Sequence, residues 1–234
     1  MSLQKEFISF GNWLFKYRSY IPILLIPLLL YLLNNHNNIK YYNILLISAI
    51  SISTLGEIIR IYTVSFVYLG TSGRNTKKQV ARDLNTTGIY SIVRHPLYLG
   101  NFLIYLGPFI YIGNLYSILI FILFFIIYYE RIMLAEEAFL INKFGDKYIK
   151  WSSVTPAFIP KINLYIKHHG NFSIKKVIYR EYTGISAIIF LFILMISYRN
   201  YINNIYPIIS NIMITITIIT FIFYISARTL KKIS

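Results

Sequence analysis

The 234-residue sequence predicts an all-α fold, a polytopic transmembrane helix bundle of about six spans. Hydrophobic residues make up 56% of the chain, charged residues only 13%, and the mean hydropathy is +0.58. Soluble globular domains carry about 25% charged residues, so this composition excludes one. Cysteine is absent and glycine numbers 11, which excludes a disulfide-stapled module and a collagen-like fibre.

Each predicted span is an apolar run compared with the roughly 17 to 25 residues that cross a hydrocarbon core of about 30 Å. The second and sixth runs are long, whereas the first, third and fourth are short and require bilayer thinning or partial insertion. The six runs are Tyr17–Leu33, Tyr42–Leu69, Leu97–Ile112, Leu115–Tyr129, Tyr182–Tyr198 and Ile205–Ile225.

Turn-forming residues separate these runs. The Asn34–Asn38 cluster follows the first run, and Gly113-Asn114 joins the third and fourth runs into a hairpin. The chain therefore divides into N-terminal transmembrane helices over 1–69, a central segment richer in polar residues over 70–160, and a C-terminal loop with two transmembrane helices over 161–234.

The distribution of basic residues predicts the orientation of the bundle. The net charge of +15 comes from 23 Lys and Arg against 8 Asp and Glu. If both termini are cytoplasmic, Lys40 and Arg199 are the only basic residues assigned to external loops. The remaining cations lie close to the cytoplasmic surface, where anionic lipid headgroups attract each by about 1 kcal/mol, so nucleic-acid binding is disfavoured. The chain is expected to be a multi-pass membrane protein without a cleaved signal peptide.

The second span carries two charges. Glu57 and Arg60 stand three residues apart and share one helical face. Charges inside a membrane normally face a bundle interior or a wet cavity, so the two are either a structural ion pair or part of a binding pocket. They also raise the alternative of a small transporter, against which the absence of an internal repeat argues.

A polar segment from Thr71 to Asn101 leads into the third span. Within it, Asn85–Gly88 predicts a turn and Pro96 predicts the start of a helix, because proline is tolerated in the first helical turn. Arg94 and His95 lie directly before that helix. A helix N-terminus beside these side chains is electropositive and suits a ligand that carries a carboxylate.

The second polar segment runs from Tyr128 to Trp151 and follows the predicted hairpin. Its alternation of apolar and charged residues predicts a helix that leaves the bilayer and lies along its surface. Because the hairpin returns the chain to the face it left, we expect Glu136 and Glu137 to lie near His95.

These two segments together resemble one known superfamily. GIYSIVRHPLYLG over Gly88–Gly100, a helical hairpin, and EEAFLINKFGDKYIKW before Pro156 and Pro160 resemble the isoprenylcysteine carboxyl methyltransferase and phospholipid methyltransferase superfamily. The resemblance covers about Gly70–Pro160, which makes 70–160 the methyltransferase core. It implies a membrane enzyme that transfers a methyl group from S-adenosylmethionine, at the cytoplasmic face, to a carboxylate, phosphate or amine of a lipid or lipidated acceptor.

The resemblance also implies roles for individual residues. Glu136 would hold the ammonium of the methionine moiety, and Gly100 would allow close approach of the cofactor. Arg94 and Arg131 are the candidate catalytic residues, although the substrate arginine of the isoprenylcysteine enzymes aligns with Ile132. No metal is implied, because the positive sulfur already activates the methyl carbon. The implied cofactor-binding residues are Tyr90, His95, Pro96, Leu97, Tyr98, Gly100, Glu136 and Glu137.

An NADPH-dependent membrane reductase of the sterol type is the other enzyme class that the sequence leaves open. Such reductases also carry a C-terminal block of basic, aromatic and Gly-Tyr elements. The RHPLYLG string and the spacing from Glu136 to FGDKY favour the methyltransferases. The identity of the acceptor, the oligomeric state and the role of the two C-terminal spans are not predicted.

Overall fold

The described part of the chain is all-helical, which confirms the predicted fold class. A computed structural model describes residues 2–36, 40–67, 79–168 and 170–233. Apart from two short 3₁₀ turns and an isolated bridge between Gly88 and Ile166, its regular structure within these ranges is α-helical. The helices are α1 Leu3–Tyr17, α2 Ile21–Asn35, α3 Tyr42–Phe66, α4 Pro96–Ile112, α5 Leu115–Phe144, α6 Asp146–Ser152, α7 Ile174–Ile202 and α8 Asn211–Ile233.

Six of these helices correspond to the six predicted spans. By length and composition, α3, α5, α7 and α8 are long and apolar enough to cross a membrane, whereas α2 and α4 are apolar but shorter. The 17 residues of α4 extend about 26 Å at 1.5 Å per residue. Two of the three spans predicted to be short are therefore short in the structure.

The fourth predicted span, Leu115–Tyr129, was wrong in its extent. Helix α5 continues without interruption for 30 residues to Phe144, so the predicted surface helix is the second half of the same element. Beyond Tyr129 the backbone remains hydrogen-bonded as a helix. The charged side chains of this part only lower its mean hydropathy.

Other predicted boundaries also differ from the structure. Tyr17 ends an additional helix, α1, instead of starting the first span, and α8 begins at Asn211 instead of Ile205. The end of the second span at Leu69, part of the Asn34–Asn38 cluster and the stretch 70–78 of the central segment lie outside the described residues.

The α4–α5 hairpin forms as its turn residues predict. Gly113 has φ +77°, a left-handed conformation that glycine adopts without strain. The side chain of Asn114 then accepts a hydrogen bond from the Ser117 amide at 3.1 Å and caps α5. The hairpin places the start of α4 and the second half of α5 at the same end of the bundle.

Helices α3 and α4 pack closely because small residues lie between them. A Cβ on Gly56 would lie 2.6 Å from the Gly100 carbonyl oxygen, and one on Gly107 would overlap the Ser53 hydroxyl. The Ser53 hydroxyl donates to the Ile104 carbonyl at 2.9 Å across this contact. Small residues and interhelical hydrogen bonds are the typical means of helix association in membranes.

Helix α1 packs against the second half of α5 through another glycine. A Cβ on Gly11 would overlap the backbone carbonyl of Arg131. The outer side of α1 presents a row of exposed aromatic rings, Phe10, Trp13 and Tyr17. The ring centroids lie 5.8 Å apart for Phe10 and Trp13 and 5.1 Å apart for Trp13 and Tyr17. An exposed aromatic row is typical of a helix at a membrane interface.

Candidate active site

A cavity of about 790 Å³ opens at the end of the bundle where α4 begins. Residues from each of the helices α1 to α7 line it, together with most of the loop residues from Gln79 to Asn85. Seven of the predicted site residues line it, namely Tyr90, Arg94, His95, Pro96, Leu97, Tyr98 and Glu136. The structure therefore brings the two polar segments of the sequence to one cavity.

His95 is the residue that joins these segments. It lies at the N-cap position of α4, as the following proline predicts, and is 6% exposed. Its Nε2 lies 2.9 Å from Oε1 of Glu137, and its Nδ1 lies 3.7 Å from Oε2 of Glu136. The ring also stacks on Tyr98, with centroids 5.7 Å apart. One imidazole thus holds both members of the glutamate pair.

The charge of His95 follows from these contacts. Burial by itself lowers the pKa of an imidazole, but the close contacts with the carboxylates of Glu136 and Glu137 outweigh it and raise the pKa of His95. A positively charged imidazole donates through both ring nitrogens. These contacts therefore favour the protonated form of the His95 imidazole over the neutral form.

The two glutamates differ in what they face. Glu137 is held from two sides, because Nε of Arg94 lies 3.3 Å from the same Oε1 that contacts His95. Arg94 is itself held by a hydrogen bond from Nη1 to the Ser152 carbonyl at 3.2 Å. Glu136 lines the cavity with a side chain that is 26% exposed. The Glu136 carboxylate is thus the acid of this pair that faces the cavity.

The chain after α6 fixes the backbone of the Arg94-His95 block. The Arg94 amide donates to the Pro156 carbonyl at 2.9 Å, and the His95 amide donates to the Ala157 carbonyl at 3.2 Å. The Lys161 amide donates back to the Ile92 carbonyl at 2.9 Å. These bonds satisfy backbone groups that precede a proline-initiated helix, where intrahelical partners are missing.

Three predicted site residues do not line the cavity. Glu137 lies behind His95, as described above. Gly100 faces α3, where a Cβ would lie 2.5 Å from Cγ of Arg60. Arg131 points toward α1, with Cζ 3.5 Å from the ring centroid of Phe7 and Nη1 2.9 Å from Oε2 of Glu130.

Sequence reasoning missed a second polar cluster on the wall of the same cavity. Arg60 on α3 forms an ion pair with Glu181 on α7, with Nη2 2.8 Å from Oε2. Its Nη1 also donates to Oδ1 of Asn101 at 2.6 Å, and Asn101 donates to the Tyr129 hydroxyl at 3.0 Å. The one available signal was an acid at the boundary of the fifth apolar run.

This cluster corrects the prediction that Arg60 pairs with Glu57. The Arg60 guanidinium is bound to Glu181, 121 positions away, while Glu57 lines the cavity beside it. Of the two alternatives left open by the sequence, the pocket holds for both residues, since Arg60 and Glu57 line the cavity, whereas the ion pair of Arg60 is with Glu181.

One wall of the cavity is apolar. Helices α2 and α7 contribute aliphatic side chains, and α4 and α5 contribute aromatic rings from the core. Among these residues are Leu25, Leu29, Ala187, Ile188 and Leu191. The cavity therefore combines a charged end around His95 with a surface suited to hydrocarbon.

Comparison with known proteins gives matches that centre on the same region. Residues 41–147 match the family model described as phospholipid methyltransferase. The protein-S-isoprenylcysteine O-methyltransferase of Schizosaccharomyces pombe is 34% identical over 120 residues, 49% of each chain. The enzyme of the same name from Saccharomyces cerevisiae is 36% identical over 87 residues, 37% of this chain and 36% of the relative.

A third relative carries a different name. The cobalt-zinc-cadmium resistance protein CzcN of Cupriavidus metallidurans is 31% identical over 116 residues, 50% of this chain and 48% of the relative. The matches thus span about half the length of these relatives or less. No solved structure gives a significant match. The family and enzyme matches confirm the predicted superfamily resemblance.

Proposed function

We propose that this chain is a membrane methyltransferase that uses S-adenosylmethionine. Its acceptor is a lipid or lipidated molecule, and its site opens at the cytoplasmic face. The proposal is supported by the match of residues 41–147 to the phospholipid methyltransferase family model and by the similarity to isoprenylcysteine O-methyltransferases. The observation that carries this proposal is one cavity that joins the His95, Glu136 and Glu137 cluster to an apolar wall.

The charged end of the cavity fits the polar part of the cofactor. An ammonium needs a carboxylate, which Glu136 presents to the cavity, while the cofactor carboxylate needs hydrogen-bond donors, for which the N-terminus of α4 is placed. His95 and Glu137 position Glu136 and Arg94 through the contacts described above. In this proposal Tyr90, Pro96, Leu97 and Tyr98 contact the rest of the cofactor.

Methyl transfer requires the protein mainly to align the two reactants. S-adenosylmethionine supplies a methyl carbon that its positive sulfur already activates, so the protein must bring the acceptor in line and exclude water. The walls around Leu29 and Ile188 exclude water and hold a hydrocarbon chain. A carboxylate or phosphate acceptor needs a cation for orientation, which Arg94 supplies, whereas an amine acceptor needs a base.

Arg131 enters this proposal in a different role from the one its sequence position suggested. Because its guanidinium lies over Phe7, we assign it to holding α1 against α5. The acceptor step is assigned to Arg94, which lines the cavity.

Binding of the product S-adenosylhomocysteine to the purified protein tests the cofactor assignment. Isothermal titration is expected to show saturable binding that weakens at least about tenfold in His95→Ala and in Glu136→Ala, because each removes a charge-assisted interaction. Matched controls are His36→Ala and Glu130→Ala, since both residues are exposed and neither lines the cavity. Unchanged affinity in both test variants would refute the assignment, and binding of NADPH in its place would support the reductase.

Transfer of label tests the acceptor class. Membranes that contain the protein are incubated with cofactor labelled on the methyl group, and lipid and protein fractions are separated. Label in a lipid or in a lipidated protein supports the proposal and identifies the class. The absence of label from both fractions, with Glu136→Ala membranes giving the same background, would contradict it.

A further inference from the structure

A second cavity lies at the opposite end of the bundle from His95. Its volume is about 470 Å³, and it forms where α3 begins and α7 ends. Helix α4 ends beside it, since Arg199 of this cavity binds the carbonyl of Tyr111. The length of α4 therefore separates it from the proposed active site by about 25 Å.

Arg199 is the buried charge of this cavity. It was predicted to lie in an external loop, but it belongs to the last turn of α7 and is only 1% exposed. Its Nη2 donates to the Tyr111 carbonyl at 2.9 Å, and its Cζ lies 4.2 Å from the Tyr111 ring centroid. Within the described ranges, Nε and Nη1 make no hydrogen bond. Two nitrogen atoms of a buried guanidinium that lines the cavity are thus without a hydrogen-bond partner.

The N-terminus of α3 lines the same cavity. Its first three residues are Tyr42, Asn43 and Ile44, and no described side chain caps them. The first backbone bond of the helix is from the Leu45 amide to the Tyr41 carbonyl, at 2.9 Å. The amides of the first helical turn have no partner inside a helix, and together with the helix dipole they form an anion site.

No acidic side chain of this chain lies at that end to neutralise Arg199. All eight Asp and Glu residues fall within the described ranges, and none of them lines this cavity: Glu6, Glu57, Asp83, Glu130, Glu136, Glu137, Asp146 and Glu181. Lys40, which is exposed, adds a second cation to the lining. A buried charge without a partner is costly, so an anionic ligand would stabilise the site.

We propose that this cavity binds a phosphate group, held by Arg199, Lys40 and the first amides of α3. Exposed tyrosines at the same end, among them Tyr41 and Tyr206, are typical of the level of lipid headgroups. The phosphate therefore comes from a lipid headgroup of the leaflet opposite the active site or from free phosphate. The proposal is independent of methyl transfer.

Binding to the full chain in a phosphate-free maltoside detergent tests the proposal. Native mass spectrometry measures retention of phosphatidylglycerol, with diacylglycerol as the matched lipid without phosphate, and a thermal shift assay measures the effect of inorganic phosphate. We expect phosphatidylglycerol to bind and diacylglycerol not to bind. A matching stabilisation by inorganic phosphate would identify a free anion as the ligand, which also supports the site.

Variants connect this binding to the cavity. Arg199→Gln is expected to weaken phosphate binding at least about tenfold, as loss of charge-assisted hydrogen bonds does. Lys40→Gln is expected to weaken it about fivefold, and because Lys40 is exposed this variant should fold normally. Lys232→Gln removes an exposed charge on α8, outside the cavity, and should bind as the parent does.

Two results would overturn the proposal. One is equal retention of phosphatidylglycerol and diacylglycerol by the unmodified protein. The other is unchanged affinity in Lys40→Gln together with unchanged affinity in Arg199→Gln; if Arg199→Gln fails to fold, unchanged affinity in Lys40→Gln overturns it alone.

Discussion

His95 connects two acids that the chain places side by side. Adjacent residues on a helix point about 100° apart, so Glu136 and Glu137 diverge, and only a group between them contacts both. The imidazole does this with its two ring nitrogens, at 3.7 and 2.9 Å. A lysine at this position would carry its charge on a single nitrogen and could not place a ring nitrogen toward each acid. A histidine therefore suits the position.

The raised pKa of His95 makes stability depend on pH. Stabilisation by the charged imidazole is fully present below its unfolded pKa of about 6.5 and is lost as the pH rises through the higher folded value. We expect the thermal unfolding midpoint to fall as the pH rises above about 6.5, and His95→Gln to reduce this fall. An equal slope in the parent and in His95→Gln would contradict the assigned charge.

The sequence predicts contacts between residues more easily when a turn joins them. The meeting of His95 with Glu136 follows from Gly113-Asn114, because a hairpin must return the chain to its starting face. The pair of Arg60 and Glu181 joins helices 121 positions apart and follows from no local pattern. Periodicity likewise does not reveal which neighbour Arg131 faces, since that depends on α1.

At the scale of helices, hydropathy predicts apolar runs better than helix ends. Hydropathy does not reveal helix α1, because Lys5, Glu6 and Lys16 break up the apolar run in the sequence and make the helix amphipathic. Helix α5 was shortened because its second half is charged. In both cases packing of α1 on α5 stabilises the helix, which a count of apolar residues does not include.

The close contact of α3 with α4 gives a prediction for Gly56. A Cβ there would lie 2.6 and 2.8 Å from backbone atoms of Gly100 and Ile104, and backbone cannot rotate away. We expect Gly56→Ala to lower the free energy of unfolding by about 1 to 3 kcal/mol, as overpacking does. Denaturation in mixed micelles measures this change.

Gly184→Ala is the matched control, because its added Cβ would meet only Oε2 of Glu181, at 3.6 Å. Since alanine favours helix more than glycine does, this variant should be neutral or slightly stabilised. Equal destabilisation of Gly56→Ala and Gly184→Ala would show that the α3–α4 contact is not what limits the substitution.

At the scale of the whole molecule, Arg60 and Glu181 connect the C-terminal helices to the matched region. No role for these helices follows from sequence motifs, yet α7 supplies the carboxylate that neutralises Arg60 and forms part of the cavity wall. Residues 161–234 therefore complete a site whose motifs lie entirely in 70–160.

Removing this carboxylate should destabilise the whole bundle. Because Glu181 is 1% exposed, Glu181→Ala leaves a largely buried guanidinium without its partner, and we expect a loss of about 3 to 5 kcal/mol in the free energy of unfolding. The double variant Arg60→Met, Glu181→Leu should lose less than the single variant, since neither charge of the ion pair remains. Unfolding in mixed micelles compares them, with Glu130→Ala as the exposed control, and a double variant weaker than Glu181→Ala would refute the coupling.

Because α5 is unbroken, a rotation of its first half about the helix axis also rotates Glu136 and Glu137 in its second half. Between Tyr129 in the core and Glu136 at the cavity no loop absorbs a change of length. One inserted residue would turn the acids by about 100° and advance them by about 1.5 Å, whereas four would return them nearly to their original direction one turn further on. The activity of variants with insertions in this stretch should therefore depend on the helical period: one inserted residue should be tolerated less well than four.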